Sequence, residues 1–200
     1  MLAVVETIQT PEPFTVLASV VQDQICYGSD SGAVELELQD ATYLGGFDWA
    51  IYNTNGTVSD LSDDVLVLSG SHVDNGLTAP IAVASGNYRV TVSQVQLPGC
   101  VQETFFNVSG PDAPISGEVA ISPITCLGND GAIEIFNMQG GSGNYTYFIG
   151  IDAPLTAADY SSGSLQQNLS AGTYQAWALD AFGCETLIAE NLILEDPAPI

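Results

Sequence analysis

Along much of this chain, apolar and polar residues alternate with a period of two. Val34, Leu36 and Leu38 fall on one face of a stretch whose other face carries Glu35 and Glu37. Phe47, Trp49 and Ile51 share a face opposite Asp48, and Tyr88, Val90 and Val92 alternate with Arg89, Thr91 and Ser93. In an extended chain, successive side chains point to opposite faces, so this alternation predicts half-buried strands. Residues 14–20, 65–68, 81–83 and 101–108 read as further strands. The runs are short and punctuated by Gly, Asn and Pro, and none sustains a helical period. The pattern predicts an all-β protein of sandwich type.

The pattern also repeats. Cys26-Tyr27-Gly28 and Gly32-Ala33-Val34-Glu35 return as Cys126-Leu127-Gly128 and Gly131-Ala132-Ile133-Glu134. Gly45-Gly46 returns as Gly140-Gly141, Ser85-Gly86-Asn87-Tyr88 as Ala171-Gly172-Thr173-Tyr174, and Gly99-Cys100 as Gly183-Cys184. Two hundred residues divide into two domains of about 90 to 100, each large enough for a small core. The expected organisation is two tandem immunoglobulin-like β-sandwich domains, at residues 11–113 and 114–200. The first carries an insertion at about 57–80. Residues 1–10 resemble the last strand of a preceding repeat, and the chain is expected to be a piece of something longer. The Pro-rich joints at 11–13, 111–114 and 197–199 read as semi-rigid linkers.

Charge narrows the range of partners. Arg89 is the one basic residue besides His72, against 24 acidic residues and a net charge of −23. Nucleic acid needs cations to neutralise its phosphates, and an anionic membrane surface needs them equally. Neither is an expected partner. No apolar run reaches the ~18 residues of a membrane span. Divalent cations, basic surfaces and neutral glycans remain. The acidic surface serves solubility as well.

One cysteine lies near each end of each repeat, which fits an oxidising compartment. Of the three possible pairings, the repeat favours Cys26–Cys100 with Cys126–Cys184, so that each domain closes on itself. The alternative is four reduced core thiols. Zinc is not expected, because no C-x-x-C pair is present.

No catalytic constellation emerges. His72 is the only imidazole and lies in the insertion of one repeat. Without lysine there is no Schiff-base or isopeptide chemistry, so the expected answer is not an enzyme. Calcium is the sharper candidate, since hard cations collect carboxylate and carbonyl oxygens. Asp23 and Asp30 flank the first Cys of repeat one, Asp130 follows that of repeat two, and Asp112 and Glu118 lie at the joint. Asp and Asn ahead of Gly also simply make turns. Trp177 aligns with Thr91 and is expected to face outward beside Gln175. There it can stack on a sugar or be covered by the loop around Tyr160.

Taken together, Cys-x-Gly, Gly-Ala-[Ile/Val]-Glu, Gly-Gly…Tyr, [Ala/Ser]-Gly-x-Tyr, Gly-Cys and a Pro-x-Pro exit resemble the SprB-type repeat of Bacteroidetes surface adhesins. The match is close in repeat two, at residues 169–174 and 180–184. It is looser in repeat one, which has Gln94-Val95-Gln96-Leu97-Pro98-Gly99-Cys100 where the family's Asp is expected, plus the insertion. The resemblance implies stalk repeats of a very long extracellular, cell-surface protein, exported by the type IX secretion system and serving gliding motility or attachment. The expected partners are neighbouring repeats and surface polysaccharide. The main alternative is that the repeats themselves bind glycan or a surface, through Trp177 or residues 57–80; a third reading is accessory domains of a secreted enzyme.

Overall fold

The computed structural model describes residues 14–40, 43–125 and 130–197. The strand expected at residues 1–10, and Cys126, lie outside the described residues. The chain divides into two compact units. Unit 1 is Met1–Asp23 with Gly32–Val108, and unit 2 is Gln24–Ser31 with Ser109–Ile200. The boundary therefore falls just ahead of the Pro111–Pro114 joint. The segment Gln24–Ser31, read from sequence as part of the first repeat, belongs to the second unit.

Unit 1 contains β1 (Thr15–Gln22), β2 (Gly32–Gln39), β3 (Phe47–Asn53), β4 (Val65–His72), β5 (Ile81–Val83), β6 (Gly86–Gln94) and β7 (Leu97–Val108). They form two antiparallel sheets in the orders β1-β2-β5 and β4-β3-β6-β7. The alternation read from sequence decides what lies between the sheets. Val34, Leu36 and Leu38 from β2 meet Phe47 and Ile51 from β3 and Tyr88, Val90 and Val92 from β6 in one buried cluster. These side chains are no more than 2 % exposed. Burying a side chain of this size is worth roughly 1.5–3 kcal/mol.

Unit 2 contains β8 (Ser116–Ser122), β9 (Gly131–Gln139), β10 (Thr146–Gly150), a 3-10 turn (Ala157–Asp159), β11 (Leu165–Leu169), β12 (Gly172–Leu179) and β13 (Glu185–Leu194). Its sheets run β11-β9-β8 and β10-β12-β13. β11 pairs with β9 as β5 pairs with β2, and β10 with β12 as β3 with β6. Among the described residues, unit 2 has no counterpart of β4. The inserted residues of the first repeat build that strand at the free edge of β3. Val65, Leu66, Val67 and Leu68 are all exposed there, on an edge strand of the sheet.

Two repeated motifs now have physical roles. In each [Ala/Ser]-Gly-x-Tyr, the tyrosine hydroxyl reaches back to a carbonyl four residues upstream. Tyr88 donates to Ala84 at 3.0 Å and Tyr174 to Ser170 at 3.0 Å. Both rings are buried. The bond ties the entry of β6 or β12 to the connection before it. The Gly-Gly pair makes a close approach. Gly140 has φ +74, and a Cβ there would lie 1.9 Å from the Pro114 carbonyl oxygen. Gly141 N–H donates to Ala113 O at 2.9 Å. Only glycine lets the chain pass the joint this closely.

Candidate functional site

The end of unit 2 that carries Cys184 is the most constructed part of the described surface. β12 finishes at Leu179, and a tight turn through residues 180–184 leads into β13. Asp180, 5 % exposed, shapes that turn. Its Oδ1 accepts from Phe182 N–H at 3.0 Å and Cys184 N–H at 2.9 Å, and its Oδ2 from Ser142 N–H at 2.9 Å. Burial pushes this carboxyl up, but the amide bonds from Ser142, Cys184 and Phe182 outweigh it and hold it below the usual carboxylate range.

A pH dependence follows. A depressed folded value means that the carboxylate contributes stability above its unfolded pKa, ~3.9, and that the contribution is lost as pH falls through the lower folded value. Asp180→Ala is expected to cost unit 2 about 1–3 kcal/mol at neutral pH, as buried amides lose their acceptor. The gap between variant and parent should narrow as pH falls below about 3.9. Urea melts at pH 7 and pH 3 check it, and an equal gap at both values would contradict this role for the carboxylate.

At this end Cys184 is bonded to Cys26, with Cα atoms 5.6 Å apart and 158 residues between them in sequence. Cys26 packs against the buried cluster of Ile115, Ala178 and Cys184, as do Met138, Tyr145 and Tyr147. A shallow cavity of about 180 Å³ lies beside the bond, bordered by Tyr27, Pro114, Gly141 and Gly183. Gln24 N–H donates to Ser109 O at 2.8 Å, fixing the start of the same segment.

This pairing replaces the expected Cys26–Cys100 and Cys126–Cys184 bonds. Cys100 is a free, exposed thiol. The reason is geometric and lies within unit 1. Val20 pairs with Val34, so Gln22 and Gly32, which bracket Cys26 in sequence, stand at one end of β2. The β6–β7 hairpin carrying Cys100 stands at the other, where Gln94 donates to Asp40 at 3.0 Å. β2 has eight residues, roughly 26 Å at the rise of a strand. A disulfide needs Cα atoms within about 7 Å.

The proposed calcium ligands are not brought together. Among the described residues, no group of three or more His, Cys, Asp or Glu side chains converges on a point. Asp23, Asp30, Asp112 and Glu118 are exposed. Asn137 donates to Glu118 at 3.3 Å. Asp130 accepts from the Thr125 hydroxyl and from its N–H, the latter at 2.8 Å, and these bonds hold it below the usual range. Both oxygens of the Asp130 carboxylate are thus engaged by Thr125.

Trp177 lies on the face of β12 opposite the buried Tyr174, Ala176 and Ala178, and is half-buried. Its cross-strand neighbours are Phe148 and Leu187, and its Nε1 donates to Gln175 Oε1 at 3.1 Å. The Phe148 ring is 6.2 Å from that of Tyr160, whose hydroxyl donates to Glu185. His72 ends β4, 3.2 Å from Asp74 and against the Phe47 ring.

One polar site escaped the sequence reading. Arg89, opposite the core face of β6, is only 8 % exposed. Its Nε donates to Asp64 Oδ2 at 2.7 Å, its NH2 lies 2.6 Å from the same oxygen, and Glu103 is 3.4 Å from NH1. The guanidinium carbon sits 4.7 Å over the Tyr52 ring. The chain's only arginine is therefore used inside unit 1.

A family model, the SprB repeat, matches residues 119–149. That stretch runs from Val119 in β8 through β9 to Ile149 in β10, and it includes the Gly-Gly corner. It agrees with the resemblance read from the motifs. SprB repeats form a family of cell-surface, adhesin-type repeats. No curated protein matches the chain.

Proposed function

We propose that this chain, with its SprB-repeat segment, is a pair of structural repeats from the stalk of a secreted cell-surface adhesin. The stalk would serve gliding motility or surface attachment. The observation that carries the reading is the SprB match across β8–β10, in a chain whose two units repeat the same strand pairings. Each unit has the properties expected of an immunoglobulin-like sandwich: antiparallel sheets, and a tyrosine at the start of the sixth or twelfth strand bonded to the preceding connection. No role in catalysis is proposed.

Mechanics supports a stalk. A disulfide between residues 158 apart keeps everything between Cys26 and Cys184 out of the extensible length. Charge supports it too, because a net charge of −23 with the one arginine buried keeps copies apart and soluble. Single-molecule stretching from the two termini tests the reading. Oxidised protein should release only the residues outside the Cys26–Cys184 loop, and a reductant should restore the full contour length. Full extension without reductant would refute it. The second reading, direct glycan binding, rests on the half-buried Trp177 beside Phe148 and Gln175. Glycan-array binding lost in Trp177→Ala would favour it over the stalk. A catalytic domain elsewhere in the full-length protein would favour the accessory-domain reading.

A further inference from the structure

The two hairpins that carry the second cysteine of each repeat are equivalent in register. In unit 2, Leu179 pairs with Glu185, and Cys184 immediately precedes Glu185. In unit 1, Ser93 pairs with Val101, and Cys100 immediately precedes Val101. Ser93 and Leu179 each stand one residue ahead of the buried Gln94 and Asp180. Cys100 and Cys184 thus hold the same place in their folds, yet one is bonded and the other is a free thiol.

The surroundings differ in the same way. In unit 2 this end is occupied by Gln24–Ser31, with Cys26 packed against the cluster of Ile115 and Ala178. In unit 1 the corresponding end is an uncovered apolar rim. Leu44 is 76 % exposed, Val73 88 %, Val95 50 % and Leu97 46 %. These residues are drawn to one place. Val95 N–H donates to Gly46 O at 3.0 Å, a Cβ on Gly46 would meet the Val73 backbone at 3.1 Å, and Phe47 pairs with both His72 and Gln94.

We propose that this rim is a socket for the cysteine-bearing connection between the first two strands of a preceding repeat, closed by a disulfide to Cys100. The occupant is a segment of the Gln24–Ser31 kind, because that is what covers the equivalent end of unit 2. Neighbouring repeats would then be joined in covalent series, each first cysteine bonded to the second cysteine of the repeat that follows it. By sequence, Cys126 holds the first-cysteine place in repeat two. The inference rests on the tandem arrangement and not on the stalk role, so pairing and extensibility can fail separately.

The bond forms by exchange with a disulfide oxidant, such as oxidised glutathione. The Cys100 thiolate attacks one glutathione sulfur and releases one glutathione thiolate. The thiolate of the incoming cysteine then attacks Cys100 Sγ and expels the second. Two protein thiols lose two protons and two electrons, and one glutathione disulfide becomes two thiols.

The test is a fusion of two copies of this chain, with Ile200 of the first running directly into Thr15 of the second. It is folded in a glutathione buffer, alkylated, and cut with a protease specific for acidic residues. Mass spectrometry should find the first copy's Cys126 linked to the second copy's Cys100, beside Cys26–Cys184 within each copy. The first copy's Cys100 and the second copy's Cys126 should be alkylated. An alkylated Cys100 in the second copy, or Cys126 bonded to Cys184 of its own copy, overturns the proposal. Leu44→Asp with Val95→Asp in the second copy changes only exposed positions and should lower the cross-linked fraction several-fold at equal oxidant. An unchanged fraction would mean that tethering alone pairs the thiols, and would overturn the socket.

Discussion

Replacing Arg89 with methionine is expected to destabilise unit 1 by about 3–5 kcal/mol, the usual cost of leaving a buried charge without its partner. The Asp64 side chain is 2 % exposed. Its Oδ1 is buried without a hydrogen-bond partner, so compensation comes through Oδ2 from the Arg89 Nε and NH2. Methionine keeps much of the volume and the contact with Tyr52 while removing every donor. Glu103 matters less, because its side chain is half in solvent.

The control is the double variant Arg89→Met with Asp64→Leu. Removing both charges abolishes the desolvation cost on each side, so most of the lost stability should return. Urea unfolding reads both, as a fall in midpoint with an unchanged slope. A single-variant loss below about 1 kcal/mol would mean that water reaches Asp64 and the pair is a surface bridge.

Arg89 also shows where the sequence was legible and where it was not. Alternation in β6 correctly placed Tyr88, Val90 and Val92 inward and Arg89 on the other face. What period two cannot report is whether that other face is covered. The cover comes from Asp64, just ahead of β4, in the insertion private to the first repeat. No internal comparison could supply it, since repeat two has no such segment. Trp177 was legible to the same depth: its face was read from Tyr174, Ala176 and Ala178, while the sequence left open whether it was bare or covered, and it is half-buried. The [Ala/Ser]-Gly-x-Tyr motif was visible as letters, and its meaning, a hydroxyl tied back four residues, needed coordinates.

The cysteines failed for a different reason. A repeat reveals which positions are equivalent, and Cys100 and Cys184 are equivalent by register. It does not say whether a contact closes within one copy or reaches into the next. Strand length decides that, because a bond spanning both ends of β2 would have to bridge roughly 26 Å. The calcium candidates call for a different comparison: among the described residues no three acidic side chains converge, and both carboxylate oxygens of Asp130 accept from Thr125.

The Cys26–Cys184 bond carries the second large expected effect. Replacing Cys26 with serine should destabilise unit 2 by up to about 5 kcal/mol, the chain-entropy value for a loop of this length. That figure treats the whole loop as free chain once the bond is lost. Residues 32–108 of the loop belong to unit 1. If unit 1 stays folded while unit 2 unfolds, the flexible part of the loop is shorter. The dependence on loop length is logarithmic, so the loss should still be about 4 kcal/mol. A further term is local. Without the bond, Cys26 is no longer held against the cluster of Ile115 and Ala178, and the apolar end of unit 2 is opened. Calorimetry of parent and Cys26→Ser should therefore show one transition moving far down and the other nearly fixed. Cys100→Ser, at an exposed thiol of unit 1, should move neither in the isolated chain. A reversed result, with Cys100→Ser destabilising and Cys26→Ser neutral, would show that the chain closes within its first repeat after all.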